Sequence, residues 1–314
     1  MNRLIMKFQY IRLMSLLLFA SFSIAKAQTD LDGLMMSKRN LCGGFLYGHS
    51  QWKNYWEGTF YRDNANLGTV SSQSVTAMAN YGISNKWNIL AMAPWIKNQA
   101  SAGTLIGQQG IQDLSLVLKN EFWGHQFGKV NVTTLGLVGG SIPLRNYVAD
   151  YLPLAIGMRS KTVFGRLMAD AQIGHWYATA SGTYMARSMV TIDRNSYYTT
   201  ELIQSNQVSM PNVWMYNLRL GWRMGADVVA EMVFDRMNTL GGFDMRKNDM
   251  PFLSNNMEAT RIGVNFKVPV PKTNGMSIMA SAMQTIAGRN MGKSTAIMAG
   301  VVYQAAFLSK EAAK

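Results

Sequence analysis

Residues 212–223 read Asn-Val-Trp-Met-Tyr-Asn-Leu-Arg-Leu-Gly-Trp-Arg, with Trp214, Tyr216, Leu218, Leu220 and Trp222 on one parity and Met215, Asn217, Arg219, Gly221 and Arg223 on the other. Successive side chains of a strand point to opposite faces. The segment is therefore a two-faced strand, oily and Trp-capped on one side and carrying two guanidinium groups on the other. Alternation alone does not say which face meets water. Repetition along the chain and an export signal decide it.

Arg3, Lys7 and Arg12 precede an apolar run from Leu13 to Ile24, and Ala25-Lys26-Ala27 fits the small-x-small pattern of a signal-peptidase site. Residues 1–27 thus read as a cleaved signal peptide, with Gln28 first in the mature chain. The run is shorter than the roughly 20 apolar residues a spanning helix needs, and no later stretch supplies one. Cys42 lies well past the cut, so no lipid anchor is expected there, and a single cysteine excludes an internal disulfide framework. The formal net charge is +13. It stays strongly positive once Arg3, Lys7, Arg12 and Lys26 leave with the signal, but it is spread along the chain. That argues against nucleic acid as a partner and suits a surface beside anionic lipopolysaccharide.

What recurs is a segment of about 10 residues with period-two hydrophobicity, bounded by Gly, Asn, Asp, Ser or Pro. Twelve segments fit: 53–62, 72–83, 87–97, 110–122, 129–142, 153–162, 166–177, 212–223, 227–238, 257–268, 276–286 and 294–307. Leu114, Leu116, Leu118 and Phe122 oppose Asp113, Ser115, Lys119 and Glu121. Ile262, Val264, Phe266 and Val268 oppose Arg261, Asn265 and Lys267. Val228, Ala230, Met232 and Phe234 oppose Asp227, Glu231 and Asp235. This acidic face next to the basic one of 212–223 predicts pairing, with a turn at Met224-Gly225-Ala226 that sets Arg223 opposite Asp227 and Arg219 opposite Glu231.

Connections alternate between short (84–86, 123–128, 164–165, 224–226, 269–274) and mostly long (63–71, 98–109, 141–152, 178–211, 239–256), the pattern of a transmembrane barrel with both termini on the short-turn side. Hydrocarbon cannot satisfy a free backbone amide, so such a sheet must close on itself. The predicted fold is an all-β, closed antiparallel transmembrane barrel of about 12 strands, with 10 or 14 as alternatives. The barrel covers 52–308, a periplasmic extension or plug covers 28–51 and a tail covers 309–314. Trp52, Trp56, Trp87, Trp95, Trp214, Trp222, Tyr303 and Phe307 fall at strand ends, where amphipathic rings favour the membrane interface. The competing reading, a soluble secreted sandwich, would have to bury Trp214, Tyr216 and Trp222 on one strand face without a disulfide.

Tyr81-Gly82-Ile83-Ser84-Asn85-Lys86-Trp87, then Ala93-Pro94-Trp95, then Gly110-Ile111-Gln112-Asp113-Leu114-Ser115-Leu116-Val117-Leu118-Lys119 resemble the early hairpins of an outer-membrane barrel family named for the MetA pathway of phenol degradation. That family is related to the fatty-acid and aromatic-hydrocarbon channel group. The likeness covers mainly 53–122. It implies a barrel of about a dozen strands that passes small, often hydrophobic or aromatic, solutes across the outer membrane of a Gram-negative bacterium. The chain departs from it in running on past Phe307 and in its 24 methionines.

The expected function is a channel whose lumen is lined by Glu57, Asp113, Lys119, Glu121, Arg159, Lys161, Asp170, Arg219, Arg223, Asp227, Glu231, Asp235, Arg261 and Lys267, since rings of charge tune which solutes pass. Paired across strands, the same charges could instead fill a sealed interior, as in a barrel that anchors a surface or secretion complex. A third reading follows from thioether and thiolate preference for Cu(I): Met35, Met36, Cys42 and His49 lie together before the expected barrel. Otherwise no cofactor is expected. Catalysis is not expected either, because His49, His125 and His175 stand before the barrel, in a short turn and on the lipid-facing parity, and no Gly-x-Ser-x-Gly motif is present. The oligomeric state and the solute are left open.

Overall fold

The computed structural model describes residues 29–225, 228–247 and 249–306. The expected signal peptide, Asp227, Phe307 and the expected tail lie outside them. Twelve antiparallel strands close into a barrel: β1 (Asn40–Trp52), β2 (Val70–Ser84), β3 (Trp87–Ala100), β4 (Asp113–Phe127), β5 (Val130–Pro143), β6 (Thr162–Ile173), β7 (Trp176–Arg187), β8 (Asn212–Met224), β9 (Val228–Leu240), β10 (Glu258–Pro269), β11 (Met276–Arg289) and β12 (Thr295–Ala306). Each strand pairs with its neighbours in sequence, and β1 closes the ring against β12, Cys42 opposite Gln304 and Gly48 opposite Met298. Short connections (85–86, 128–129, 174–175, 225–227 and 270–275) share one end with the start of β1 and the end of β12, and the long ones gather at the other.

Alternation resolves as oil outward. On β8, Leu218 and Leu220 are 39% and 51% exposed while Arg219 and Arg223 are 8% and 5% exposed. Phe45, Leu118, Leu167, Met232, Phe266 and Ile297 continue the outer belt around the ring. Trp123 and Trp176 join it at the short-turn end, where Trp123 stacks on His125.

Two of the twelve expected segments are not barrel strands. Residues 53–62 form a small hairpin, Asn54–Glu57 against Phe60–Asp63, bent at Gly58 (φ 54°), outside the ring. Residues 153–161 form a loop whose Leu154, Ala155 and Ile156 are buried. Two strands take their places. β1 lies inside the stretch assigned to the extension, so the barrel starts at Asn40 rather than at 52. Its inward Cys42, Gly44, Leu46 and Gly48 carry no charge, and its two faces look alike in sequence. Along its middle β7 alternates Ala178, Ala180 and Gly182 against Thr179, Ser181 and Thr183. The expected segment 166–177 accordingly crosses a turn, since β6 ends at Ile173.

The β8–β9 register also differs. Arg219 faces Val233, Gly221 faces Glu231 and Arg223 faces Val229, so the turn is 225–227. A slip of two residues keeps every side chain on its face, and alternation cannot detect it.

The long loops have a core of their own. Val190, Ile192, Tyr197, Val208, Phe252 and Leu253 pack together from loops 188–211 and 241–257, and Leu154 packs with Leu67 and Val70. Asn290, 1% exposed, ties three connections together. Its side chain accepts from the Gly58 and Met245 N–H groups at 2.7 and 3.1 Å and donates to Asp244 and to the Asn256 carbonyl, both at 2.7 Å.

Candidate functional site

The lumen has two unlike halves. One arc, from β4 to β10, is ionic. Arg219 Nη1 meets Glu231 Oε1 at 2.7 Å, although the two are diagonal rather than opposite. Glu231 also accepts from the Tyr177 hydroxyl and, at 2.7 Å, from the Asn265 amide. Arg223 pairs with Asp170 two strands away and donates to Gln172 at 2.8 Å, while Thr179 on the strand between donates to Asp170 at 2.6 Å. Asp235 and Arg261 are register partners with an N–O distance of 3.5 Å. Lys267 is buried on the same face as Arg261. Arg219, Arg223 and Arg261 thus have their counter-charges on the wall, the condition under which desolvated ions are tolerated. The other arc, from β11 through β12 and β1 to β3, carries Met279, Met298, Cys42, Leu46, Met78 and Met92.

Between the halves sits the N-terminal segment itself. Lys119 and Arg166 both stand beside Leu137, on either side of β5, and therefore project at one level. Lys119, wholly buried, donates to the Thr29, Asp32 and Leu34 carbonyls at 3.2, 2.7 and 2.8 Å and pairs with the Asp32 carboxylate at 3.1 Å. Arg166 donates to the Asp30 carbonyl at 2.8 Å and to its carboxylate at 2.9 Å, with its Nε on Thr183 at 2.7 Å. Met35 packs on the Leu90, Val117 and Leu135 side and Met36 on the Cys42 and Met78 side. With its amide turned to satisfy both contacts, Asn88 donates to the Met36 carbonyl at 3.2 Å and accepts from the Met36 N–H at 2.6 Å. Gly33 passes so close to Asp170 that a Cβ there would lie 2.4 Å from its carboxylate oxygen. The chain then leaves the lumen past Gly82, whose carbonyl accepts from Arg39 N–H at 2.8 Å, and enters β1.

On the short-turn side this segment floors a vestibule of about 510 Å³, lined among others by Gly33, Leu34, Glu121, Gln126, Asn131 and Arg223. A separate apolar groove of about 480 Å³ runs along the outer wall over Leu218, Phe234 and Ile262 and belongs to the belt.

Of the residues expected in the lumen, Lys119, Asp170, Arg219, Arg223, Glu231, Asp235, Arg261 and Lys267 come together there, and Glu121 faces the vestibule. Asp113 sits at the opposite end, accepting from Tyr147 at 2.8 Å. Burial, then the Asp113 hydrogen bond, push the Tyr147 hydroxyl above its ordinary pKa. Three positions do not belong. Glu57 is in the outer hairpin, paired with Arg62 at 2.8 Å. Arg159, whose N–H meets Tyr147 at 2.8 Å, and the exposed Lys161 are in a loop, because 153–161 is not a strand.

The soft-metal set also divides. Met36 and Cys42 meet, Met35 turns to the other cluster, and His49 lies on the outward parity of β1, not before the barrel. His125 is in β4 rather than a turn, and His175 is in the 174–175 turn rather than on a strand, its Nδ1 3.3 Å from the Arg223 carbonyl. Sequence reasoning missed Arg166, though it shares Asp170's parity. It also missed Asp30 and Asp32, for which no periodic signal exists. Among the described residues, no three of His, Cys, Asp and Glu converge as a metal site.

No family model matches the chain, and no curated protein matches it. Among solved structures, an outer membrane channel from Pseudomonas putida F1 superposes with a TM-score of 0.71 at 13% identity, over 88% of this chain and 100% of that one. The translocator domain of the autotransporter NalP from Neisseria meningitidis gives 0.46 at 12% identity, over 87% and 90%. At such identities the first likeness speaks for the fold.

Proposed function

We propose that the protein is an outer-membrane channel held closed by its own N-terminal segment. Lipid and lipopolysaccharide cover the belt, and residues 29–39 act as a plug in the lumen. The observation that carries this is the seat at Lys119 and Arg166, two desolvated cations at one level of the wall whose counter-charges come from Asp30 and Asp32. A sealed strut has no need for its central charges to be neutralised by a segment outside the wall. Withdrawal of the segment opens a lumen with an ionic arc facing a thioether and aliphatic arc. That lining suits small amphipathic solutes, aromatic ones included, which keep a polar group on one wall and a ring on the other.

Planar-bilayer recording tests it. Wild type is expected to open rarely, and Asp30→Asn/Asp32→Asn to open at least about tenfold more often, because two ion pairs that anchor the segment are lost. Silence from both, with the barrel folded, would leave the non-conducting scaffold as the right reading.

A further inference from the structure

Methionine fills irregular gaps readily, and the chain has 24 to place. In the lumen they are not scattered. Six of the eight hydrophobic side chains clustered at the β11–β3 arc carry sulfur: Met36, Cys42, Met78, Met92, Met279 and Met298. Met78 and Met92 are register partners. Cys42 stands opposite Asn80, one pleat period from Met78, which makes Cys42 and Met78 diagonal neighbours on the inner face, roughly 7–8 Å apart at the backbone and within reach of a long side chain. Met36 comes in from the plug, held by Asn88. Met36 and Cys42 have no exposure and Met78 has 6%. A second feature marks the spot: Asn80, wholly buried, has neither its amide nitrogen nor its amide oxygen hydrogen-bonded.

From this juxtaposition we infer a binding site for a soft monovalent cation, Cu(I), ligated by the Cys42 thiolate and the Met36 and Met78 thioethers, with Met92 beside them. Thiolate and thioether donors select Cu(I) over hard divalent ions. Binding exchanges the Cys42 thiol proton, which leaves to solvent, for the metal. The site stays neutral without a carboxylate, and the charged wall is on the other arc. Asn80 then has an acceptor for its N–H, since a thiolate takes the hydrogen bond that a neutral thiol takes only weakly. Met279 and Met298 extend the same donors toward the long-loop end. Met298 faces Gly48, which places it about 20 Å along the wall from Cys42 at 3.3 Å per residue. Met36 belongs to residues 29–39, so the site is complete while that segment is seated, whether or not the barrel conducts.

The test is anaerobic titration of the full-length protein in detergent with Cu(I), competed by bicinchoninate. Wild type is expected to retain about one equivalent, and Cys42→Ser and the double variant Met36→Leu/Met78→Leu to bind about tenfold or more weakly. Met→Leu conserves volume, and the heat-modifiable gel shift reports whether each variant folds. Met168→Leu/Met185→Leu, outside this cluster, should match wild type. No retention by wild type, retention unchanged in Met36→Leu/Met78→Leu, or an equal loss in the Met168/Met185 control would each overturn the site.

Discussion

Single residues carry the two contacts that make this barrel more than a wall. Gly33 is required by close approach, since any Cβ meets the Asp170 side chain. Gly33→Ala should unseat the plug without touching the lipid-facing belt, and limited proteolysis should then cut residues 29–39 where it spares wild type; equal protection would show that the seat tolerates the methyl group. Asn290 is the corresponding point among the long loops. It occupies the left-handed region at φ 51°, where Asn is tolerated better than most. Asn290→Ala strands buried donors and acceptors and should cost about 1–3 kcal/mol, read as faster cleavage in 241–257. Its partner Asp244 is held below the ordinary carboxylate pKa of 3.8, first by hydrogen bonds from Arg289. A depressed folded value means the contribution is present above the ordinary pKa and lost as pH falls through the folded one. Loop protection should therefore persist to about pH 4 and weaken only below it, by ~1 kcal/mol or less for so exposed a pair.

Elements differ in how much of themselves they show in sequence. β4, β8, β9 and β10 were legible because one face is aliphatic or aromatic and the other ionic. β1 and β7 were not, because β1 turns Cys42, Gly44, Leu46 and Gly48 inward and β7 runs through its middle as Ala and Gly against Thr and Ser, so neither shows an ionic face set against an oily one. The hairpin at 53–62 alternates as a strand does and betrays itself only at Gly58. Register was hidden for a different reason, since a two-residue slip preserves both faces. What survived the slip is the pairing of charge: Arg219 still reaches Glu231 by leaning along the strand. Arg219→Gln or Glu231→Gln alone leaves a desolvated ion behind and should cost about 3–5 kcal/mol, whereas the double variant should cost less than either. Urea unfolding in detergent measures this, and additive losses would mean the two residues are not coupled.

At the scale of the molecule, three layers follow from one inversion. Lipid solvates the outside, so the belt is oily. The ring must close to satisfy its backbone, so the polar side chains have nowhere to go but inward. Charges trapped there need counter-charges, which come from neighbouring strands and, at Lys119 and Arg166, from the plug. The inversion was visible in sequence; the plug's seat was not, because it joins residues 87 and 136 positions apart with no shared period. The most direct measurement is electron paramagnetic resonance of single spin labels stepped through 213–223 by cysteine substitution, in reconstituted vesicles, with the fully buried Cys42 silent. The account predicts oxygen accessibility that peaks at Leu218→Cys and Leu220→Cys and drops at Asn217→Cys and Arg219→Cys. Oxygen peaks on the Arg219 parity, or no alternation at all, would contradict it.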